Sequence, residues 1–419
     1  MLRAALIFIA VYVGLVVTRR FRPHVAWLGI IVALVLGVLK PAEIFFGINW
    51  NVIGIFVGSL ILAELFIFSR VPETISDLLI NKSPSLGVAF LLIIIFTSIL
   101  SAFIENVATV LILAPVALEL ARKAGVSPVP VIVGLAVSSN LQGTATLIGD
   151  PPSMIMAANM KMNFLDFFLY QGKLGIFFFV EAGAVAGFLV LYLYLRGIKQ
   201  RPEPLPVTPV TSWAPVYFIS IMILLLSLAG FFDPDFVWFG GTVCIVMGLV
   251  GCVWLWLRER REARKLLRSI DWQTTAFLAA VFVLVTMLER RGTIDALVGR
   301  IGFLAGANRF TVYTIVVWFS VLVSAFIDNV PYITAFLPVV IGLSERLGYP
   351  SEVLVFGVLI GSCLGGNITP IGASANIVAV GILQREGRPV SFGSFVKIGL
   401  PFTLAATAVS YILLWLLYR

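Results

Sequence analysis

One seven-residue stretch occurs twice and limits what the chain can become. The first copy is Ser101-Ala102-Phe103-Ile104-Glu105-Asn106-Val107, with Pro115 downstream. The second is Ser324-Ala325-Phe326-Ile327-Asp328-Asn329-Val330, with Pro338 at the same interval. Glu105 and Asp328 stand 223 positions apart (328 − 105), and the register holds further on. Gly134 aligns with Gly357, Ser139 with Ser362, Gly143 with Gly366, Thr146 with Thr369, and Ile148-Gly149 with Ile371-Gly372. Each copy sets an acid-Asn pair and then a Gly/Thr/Asn-rich break inside an apolar segment. Both features are costly in hydrocarbon, where every polar backbone group needs an internal partner. Their recurrence at one register argues for a transport site built twice.

The surroundings are membrane-like. Of 419 residues, 60% are hydrophobic and 12% charged, and many apolar runs reach the roughly 20 residues that cross a bilayer core. The fold class is therefore an all-α polytopic membrane protein with no evident water-soluble domain. The net charge of +8 does not point to nucleic acid, because the basic residues sit at segment ends, where membrane topology places them. Cys244, Cys252 and Cys363 lie in apolar runs and read as buried thiols. His24, beside Arg19, Arg20 and Arg22, reads as an interfacial residue. No HExxH motif or Cys/His cluster points to a bound metal. Residues 1–17 read as a first span.

Spans one to three are expected at 2–17, 25–39 and 49–68, followed by an amphipathic arm at 69–84 lying at the interface. Residues 86–122 form either two full spans or a re-entrant hairpin with Glu105-Asn106 at its tip. Span four, 129–160, is broken at 140–146 and again at 149–152, and span five is 167–195. The segment 196–212, with Pro202, Pro204, Pro206 and Pro209, reads as an extended cytoplasmic linker, since proline removes helix donors. The second half, 213–419, repeats this plan. It has spans at 213–231, 236–257 and 272–289, a polar loop at 258–271 and an arm at 291–308. A second hairpin covers 310–347 with Asp328-Asn329 at its tip, a broken span covers 353–383, and a last span covers 393–417. The architecture expected is about ten transmembrane helices plus two hairpins and two broken helices.

Charge tests the hairpins. With re-entrant hairpins each half, 1–195 and 213–419, has five crossings, so the two repeats are inverted. Segments 19–22, 70–82, 122–123, 196–201, 258–268 and 385–397 then share the cytoplasmic side and carry most of the 29 Lys and Arg. That is the positive-inside pattern, and it puts both termini outside. Arg290, Arg291, Arg300 and Arg309 fall on the other side. Full spans in place of hairpins give a parallel repeat of six and six.

Helix breaks at membrane depth survive where protein or water surrounds them, and in transporters they face ions or substrate. Burial disfavours a charged carboxylate, which suits Glu105, Asp328 and Asp150 to carrying protons. Glu105 and Asp328 also sit where an acid caps a following helix. Asp150 has Ala373 as its repeat partner, so any ion site there is asymmetric. Glu119 and Glu289 are expected to pair with Arg122 and Arg290. Glu64 and Glu181 are further acids in or near apolar segments.

These motifs resemble the ion transporter superfamily, which includes arsenite/antimonite permeases, NhaD-type sodium/proton antiporters, the melanosomal P protein and dicarboxylate/sodium symporters. Glu105-Asn106-Val107-Ala108-Thr109 and Asp328-Asn329-Val330-Pro331 resemble its hairpin tips. Gly143-Thr144-Ala145-Thr146-Leu147-Ile148-Gly149-Asp150-Pro151-Pro152 and Asn367-Ile368-Thr369-Pro370-Ile371-Gly372-Ala373-Ser374-Ala375-Asn376 resemble its broken helices. The likeness is to the permease, NhaD and P-protein branch. It departs from the dicarboxylate branch, whose hairpins carry Ser-Asn-Thr. It implies a scaffold domain and a moving transport domain, and it allows a homodimer and a soluble ATPase partner. The expected ligands of ion or substrate are Glu105, Asn106, Thr109, Asn140, Gly143, Thr144, Thr146, Asp150, Asp328, Asn329, Gly366, Asn367, Thr369, Ser374 and Asn376.

Acidic tips repel a multiply charged anion unless protonated. They suit protons, sodium or a neutral polyhydroxyl species such as arsenous acid. The expected function is proton-coupled export of arsenite or antimonite by alternating access, across a prokaryotic inner membrane and without a cofactor. Sodium/proton antiport is the alternative. A passive channel needs a continuous pore, and paired broken helices favour alternating access. An intramembrane aspartyl protease using Asp150 and Asp328 lacks the Gly-x-Gly-Asp motif, since position 147 is Leu.

Overall fold

A computed structural model of the protein describes residues 1–18, 21–300 and 308–419. The first half runs α1 (Leu2–Val17), α2 (Arg22–Val35), α3 (Pro41–Gly47), α4 (Trp50–Ser69), α5 (Val71–Asn81), α6 (Leu86–Ser101), α7 (Asn106–Lys123), α8 (Val129–Gly143) and α9 (Pro151–Met160). A small hairpin of β1 (Leu169–Tyr170) and β2 (Lys173–Leu174) leads into α10 (Ile176–Leu195). After the linker come α11 (Ala214–Ser227), α12 (Ala229–Phe232), α13 (Phe239–Arg258), α14 (Arg260–Ser269), α15 (Trp272–Arg290) and α16 (Thr293–Arg300). The chain ends with α17 (Arg309–Ser324), α18 (Asn329–Leu347), α19 (Ser351–Gly365), α20 (Ser374–Arg385) and α21 (Phe392–Tyr418). Among the described residues, seven helical stretches are long and apolar enough to cross a membrane.

Side-chain caps explain where several helices begin. An N-cap oxygen satisfies a donor that the first helical turn leaves free. Ser85 caps α6 through the Val88 amide, and Asn308 caps α17 through the Thr311 amide. Asn49 caps α4 and Asp271 caps α15 in the same way. Glu105 takes the Ala108 amide at 3.0 Å and Asp328 the Val330 amide at 3.2 Å. Helix α6 starts and ends 223 positions before α17, and α7 starts 223 positions before α18. Pro115 and Pro338 lie inside α7 and α18 at matching depth.

The helices pack in two groups. Helices α1 to α4 pack with α11, α13 and α15, while α6 to α10 pack with α17 to α21. The second group is interlocked, because α7 lies on α20 and α18 lies on α9. In the first group α4 meets α13 through small residues. A Cβ on Gly58 would stand 2.2 Å from the Cys244 carbonyl carbon, and one on Gly54 would stand 2.8 Å from Gly241 Cα. Such contact lets two backbones approach closely, which is what holds helices together when lipid is as apolar as the side chains.

Several sequence expectations change in detail. The polar stretch 258–271 contains a helix, not a loop: α14 buries Ala263 and Leu266 and leaves its basic residues outward. The first arm is α5, and it is covered by the linker. Asp77 accepts the Thr208 amide at 2.8 Å, Asn81 exchanges bonds with Leu205, and the Thr74 hydroxyl bonds the Thr208 carbonyl. The linker, free of helix and strand from 198 to 213, therefore has defined partners. Span four has one break, 144–150, in place of two, because α8 continues through Asn140 and Gln142. Both amides find side-chain partners, so neither interrupts the helix. Of the second arm, α16 is seen, while residues 301–307 lie outside the described residues, as do Arg19 and Arg20. The short α3 and the β1-β2 hairpin had no expected counterpart. Cys244 and Cys363 are buried, Cys252 is half-buried, and all three are free thiols.

Gly58→Val should push α4 away from α13 and destabilise the protein by about 1–3 kcal/mol, the usual cost of overpacking. A thermal melt of the purified variant, expected several degrees below the parent, checks this.

Candidate functional site

The four helices that begin at the two tips and the two breaks all start around one cavity of about 320 Å³. Its lining includes Glu105 to Ala108 at the start of α7, Asp150 and Pro151 at the start of α9, Asp328 to Val330 at the start of α18, and Ala373 to Ala375 at the start of α20. The opposite wall comes from the other packing group: Phe56, Leu60 and Glu64 of α4, and Asp271, Thr274 and Phe277 at the head of α15. The exposed lining residues Ser269, Asp271 and Gln273 lie where α14 meets α15, so the cavity opens there.

Its charges are unequal. Glu64, Glu105, Asp150, Asp271 and Asp328 line it, against Arg22 alone among the described basic residues. Four helix N-termini partly offset that surplus, since each presents free amides and the positive end of its dipole. Arg22 Nη1 binds Asp328 Oδ2 at 2.8 Å. Asp150 is buried, and its Oδ2 has no hydrogen-bond partner.

Behind the cavity an asparagine network joins the halves. Asn140 of α8 donates to Asn367 Oδ1 at 2.8 Å and to Asn376 Oδ1 at 2.9 Å. Asn367 donates to the Val137 carbonyl, and Asn376 donates to the carbonyls of Gly366 and Thr369. Asn106 reaches Asn140 Oδ1 at 3.5 Å and accepts from Ser101 at 2.7 Å. Two threonines fasten each break to its own tip: Thr146 donates to the Ala102 carbonyl and Thr369 to the Ala325 carbonyl, an equivalent bond at the same offset. Gly149 and Gly372 are needed where the break folds back, since a Cβ on either would fall within 3 Å of backbone carbonyls.

The expected site residues divide by position. Glu105, Asn106, Asn140, Asp150, Asp328, Asn329 and Ser374 line the cavity. Thr144, Thr146, Gly366, Asn367, Thr369 and Asn376 lie in the layer behind it or shape the breaks, and Gly143 packs against Asn106 and Asp150. Thr109 turns its hydroxyl back to the Asn106 carbonyl. Of the other acids, Glu119 pairs with Lys123, not Arg122, and Arg290 pairs with Glu43, not Glu289. Glu181 accepts from Gln142, and Glu64 faces the cavity. Arg22 and Asp271 were not foreseen. Arg22 looks like one more interfacial cation in sequence, because its partner is 306 residues away. Asp271 had one signal, its alignment one residue out of register with Asn49 at the head of the matching span.

Comparison with known proteins agrees with this geometry. Residues 12–361 match the family described as citrate transporter, CitMHS. An uncharacterized transporter of Mycobacterium tuberculosis, Rv2684, is 29% identical over 99% of this chain and 98% of its own length. The P protein of Sus scrofa is 26% identical over 97% of this chain and 58% of its own length. Among solved structures, the Alcanivorax borkumensis YdaH transporter superposes with a TM-score of 0.63 at 15% identity, covering 93% of this chain and 88% of that one. Neisseria gonorrhoeae MtrF, described among antimetabolite efflux pumps, gives 0.56 at 14% identity over 92% and 83%. The matching family and these relatives are transporters, so the chain is a secondary transporter and not an enzyme. The chain belongs to the CitMHS citrate transporter family.

Asn140→Leu removes two donated bonds and leaves the Asn367 and Asn376 carbonyl oxygens short of a donor. Burying an unsatisfied polar group costs about 1–3 kcal/mol. The variant should melt well below the parent, whereas Asn106→Ser, at the edge of the network, should melt closer to it.

Proposed function

We propose that the protein is a proton-coupled secondary transporter that exports arsenite or antimonite by alternating access. The observation that carries this reading is the cavity itself, where two acidic tips and two helix breaks meet against the α4–α15 wall. Glu105, Asp150 and Asp328 serve as the ion-coupling acids. Taking up a proton removes a charge that the low-dielectric site holds at a cost, and releasing it restores attraction for a cation. Exchange of protons at these acids then drives a solute the other way.

The solute follows from the charge of the lining. Five acids against one arginine repel a free multiply charged anion and accept a neutral polyhydroxyl molecule. Arsenous acid fits that chemistry, with hydroxyl groups that the asparagines and the helix amides can bond. The same acid surplus favours a second reading, sodium/proton antiport, in which the acids are cation ligands. The description of the family favours a carboxylate solute. This lining would admit one only together with a companion cation that neutralises it.

The two packing groups suit a division of labour. The α4 and α13 group would stay fixed as a scaffold, and the interlocked group would move as the transport domain. In this reading residues 1–195 and 213–419 are inverted repeats, with re-entrant hairpins at 86–122 and 310–347 and broken helices at 129–160 and 353–383. The basic α14 then lies on the cytoplasmic side of a prokaryotic inner membrane with both termini outside, and the cavity opens inward.

Everted membrane vesicles energised with a proton gradient should accumulate arsenite, and Glu105→Gln should reduce uptake to background while leaving expression intact. Sodium-dependent proton release without arsenite uptake would move the protein to the antiporter class. Full coupled activity in both Glu105→Gln and Asp150→Asn would remove the acids from the coupling step.

A further inference from the structure

The two tips match in sequence but differ in what holds their acids. Glu105 Oε2 takes the Ala108 amide, and no cation pairs with Glu105 among the described residues. Asp328 is fully engaged. Its Oδ1 takes the Val330 amide, and its Oδ2 takes Arg22 at 2.8 Å with the Ser374 hydroxyl at 3.5 Å. The arginine has no counterpart in the second half, where the 223-residue offset falls on Ile245. It is the first residue of α2, and it reaches the second tip from the other packing group.

We propose that Arg22 is the built-in counter-cation of the second tip, occupying at Asp328 the place a coupling ion would take and so confining ion binding to the Glu105 and Asp150 side. The proposal rests on the reading of the tips as the ion-coupling site and narrows it: Asp328 is satisfied by Arg22, and the coupling ion falls to Glu105 and Asp150.

Three observations support it. First, the pair is sheltered: the arginine side chain is 19% exposed and the aspartate 8%. A tethered cation in such a place is screened little by salt and does not diffuse away. Second, Arg22 begins a helix, where the dipole disfavours positive charge. Helix stability therefore gives no reason for an arginine here, whereas an acid facing it does. Third, the acid left without a counter-charge is on the first side. Asp150 Oδ2 is buried with no partner, near Asn106 and Gly143. A free cation entering the cavity meets carboxylates without a counter-charge there, and at Asp328 it meets a guanidinium. A smaller cavity behind the pair, bounded by Tyr12, Phe326 and Pro331, is also lined by Arg22 and Asp328. The buried Tyr12 hydroxyl has no partner.

A clip that merely docks α2 on the second tip would have no ion specificity, and the test exploits that difference. Purified wild type, R22Q and R22Q/D328N are melted in sodium chloride and in choline chloride at equal ionic strength. R22Q should show a sodium-specific rise in melting midpoint larger than that of wild type, equivalent to about a tenfold gain in apparent sodium affinity by mass action. R22Q/D328N should lose the gain. Equal sodium responses in wild type and R22Q overturn the proposal, and so does a gain that survives D328N. If R22Q is not recovered folded, R22M, which keeps the length of the side chain and drops its charge, replaces it. R22M should show the same sodium-specific gain, and a response equal to that of wild type overturns the proposal. The measurement uses no solute and no gradient, so a negative arsenite uptake result and a negative result here have separate meanings.

Discussion

A helix that stops inside a membrane leaves amides and carbonyls that no lipid can satisfy. This chain stops helices within its packed interior at both tips and both breaks, and the rest of the site answers the same constraint. The Thr146 and Thr369 hydroxyls bond tip carbonyls freed by the turns. Asn376 takes up two carbonyls left by the second break. Glu105 and Asp328 cap the helices that leave the tips. The acids thus have a structural use before any ion arrives, and a coupling ion or proton must compete with a helix amide for one oxygen of each. The side chains that meet the cost of breaking the helices include Asn, Thr, Ser, Asp and Glu.

The same constraint accounts for the cavity. Four helix N-termini gathered in one place would be a strongly positive focus, and the acids at their heads moderate it. The remaining surplus of carboxylates faces the α4–α15 wall, where Asp271 and Glu64 add to it and Arg22 subtracts from it. Small shifts of the tips relative to that wall would change which charges face one another. A site made at the boundary of two packing groups is therefore sensitive to their relative position.

Much of this was legible in the sequence because the key signal is a repeat. A motif seen once can be a kink. The same acid, asparagine and glycine register seen twice places tips and breaks without any structure, and residues such as Asn106, Asn329, Thr146 and Thr369 follow from it. What escaped was whatever the repeat does not contain. Arg22 has no counterpart at the repeat offset, and its partner lies 306 residues away. The helicity of α14 was masked by its charge, since strongly basic composition reads as loop until the spacing of Ala263 and Leu266 is noticed. The break in span four looked double because Asn140 is a poor helix residue in isolation and Gln142 is polar at membrane depth. Their partners, Asn367, Asn376 and Glu181, are supplied by other segments, and tertiary bonding overrides the local preference.

The interlocking of the second packing group also has a consequence for biogenesis. Helix α9 lies under α18, and α20 lies on α7 and α8. When the ribosome has made only the first half, Asn140 lacks Asn367 and Asn376, and α9 lacks its cover. The first half therefore leaves the insertion machinery with a polar seam facing lipid or a surrogate. That seam closes only after α20, near the end of translation, has been threaded into place. Assembly of the site is thus a late, long-range event, and the nascent chain spends most of its synthesis as a client of whatever shields polar groups in the membrane.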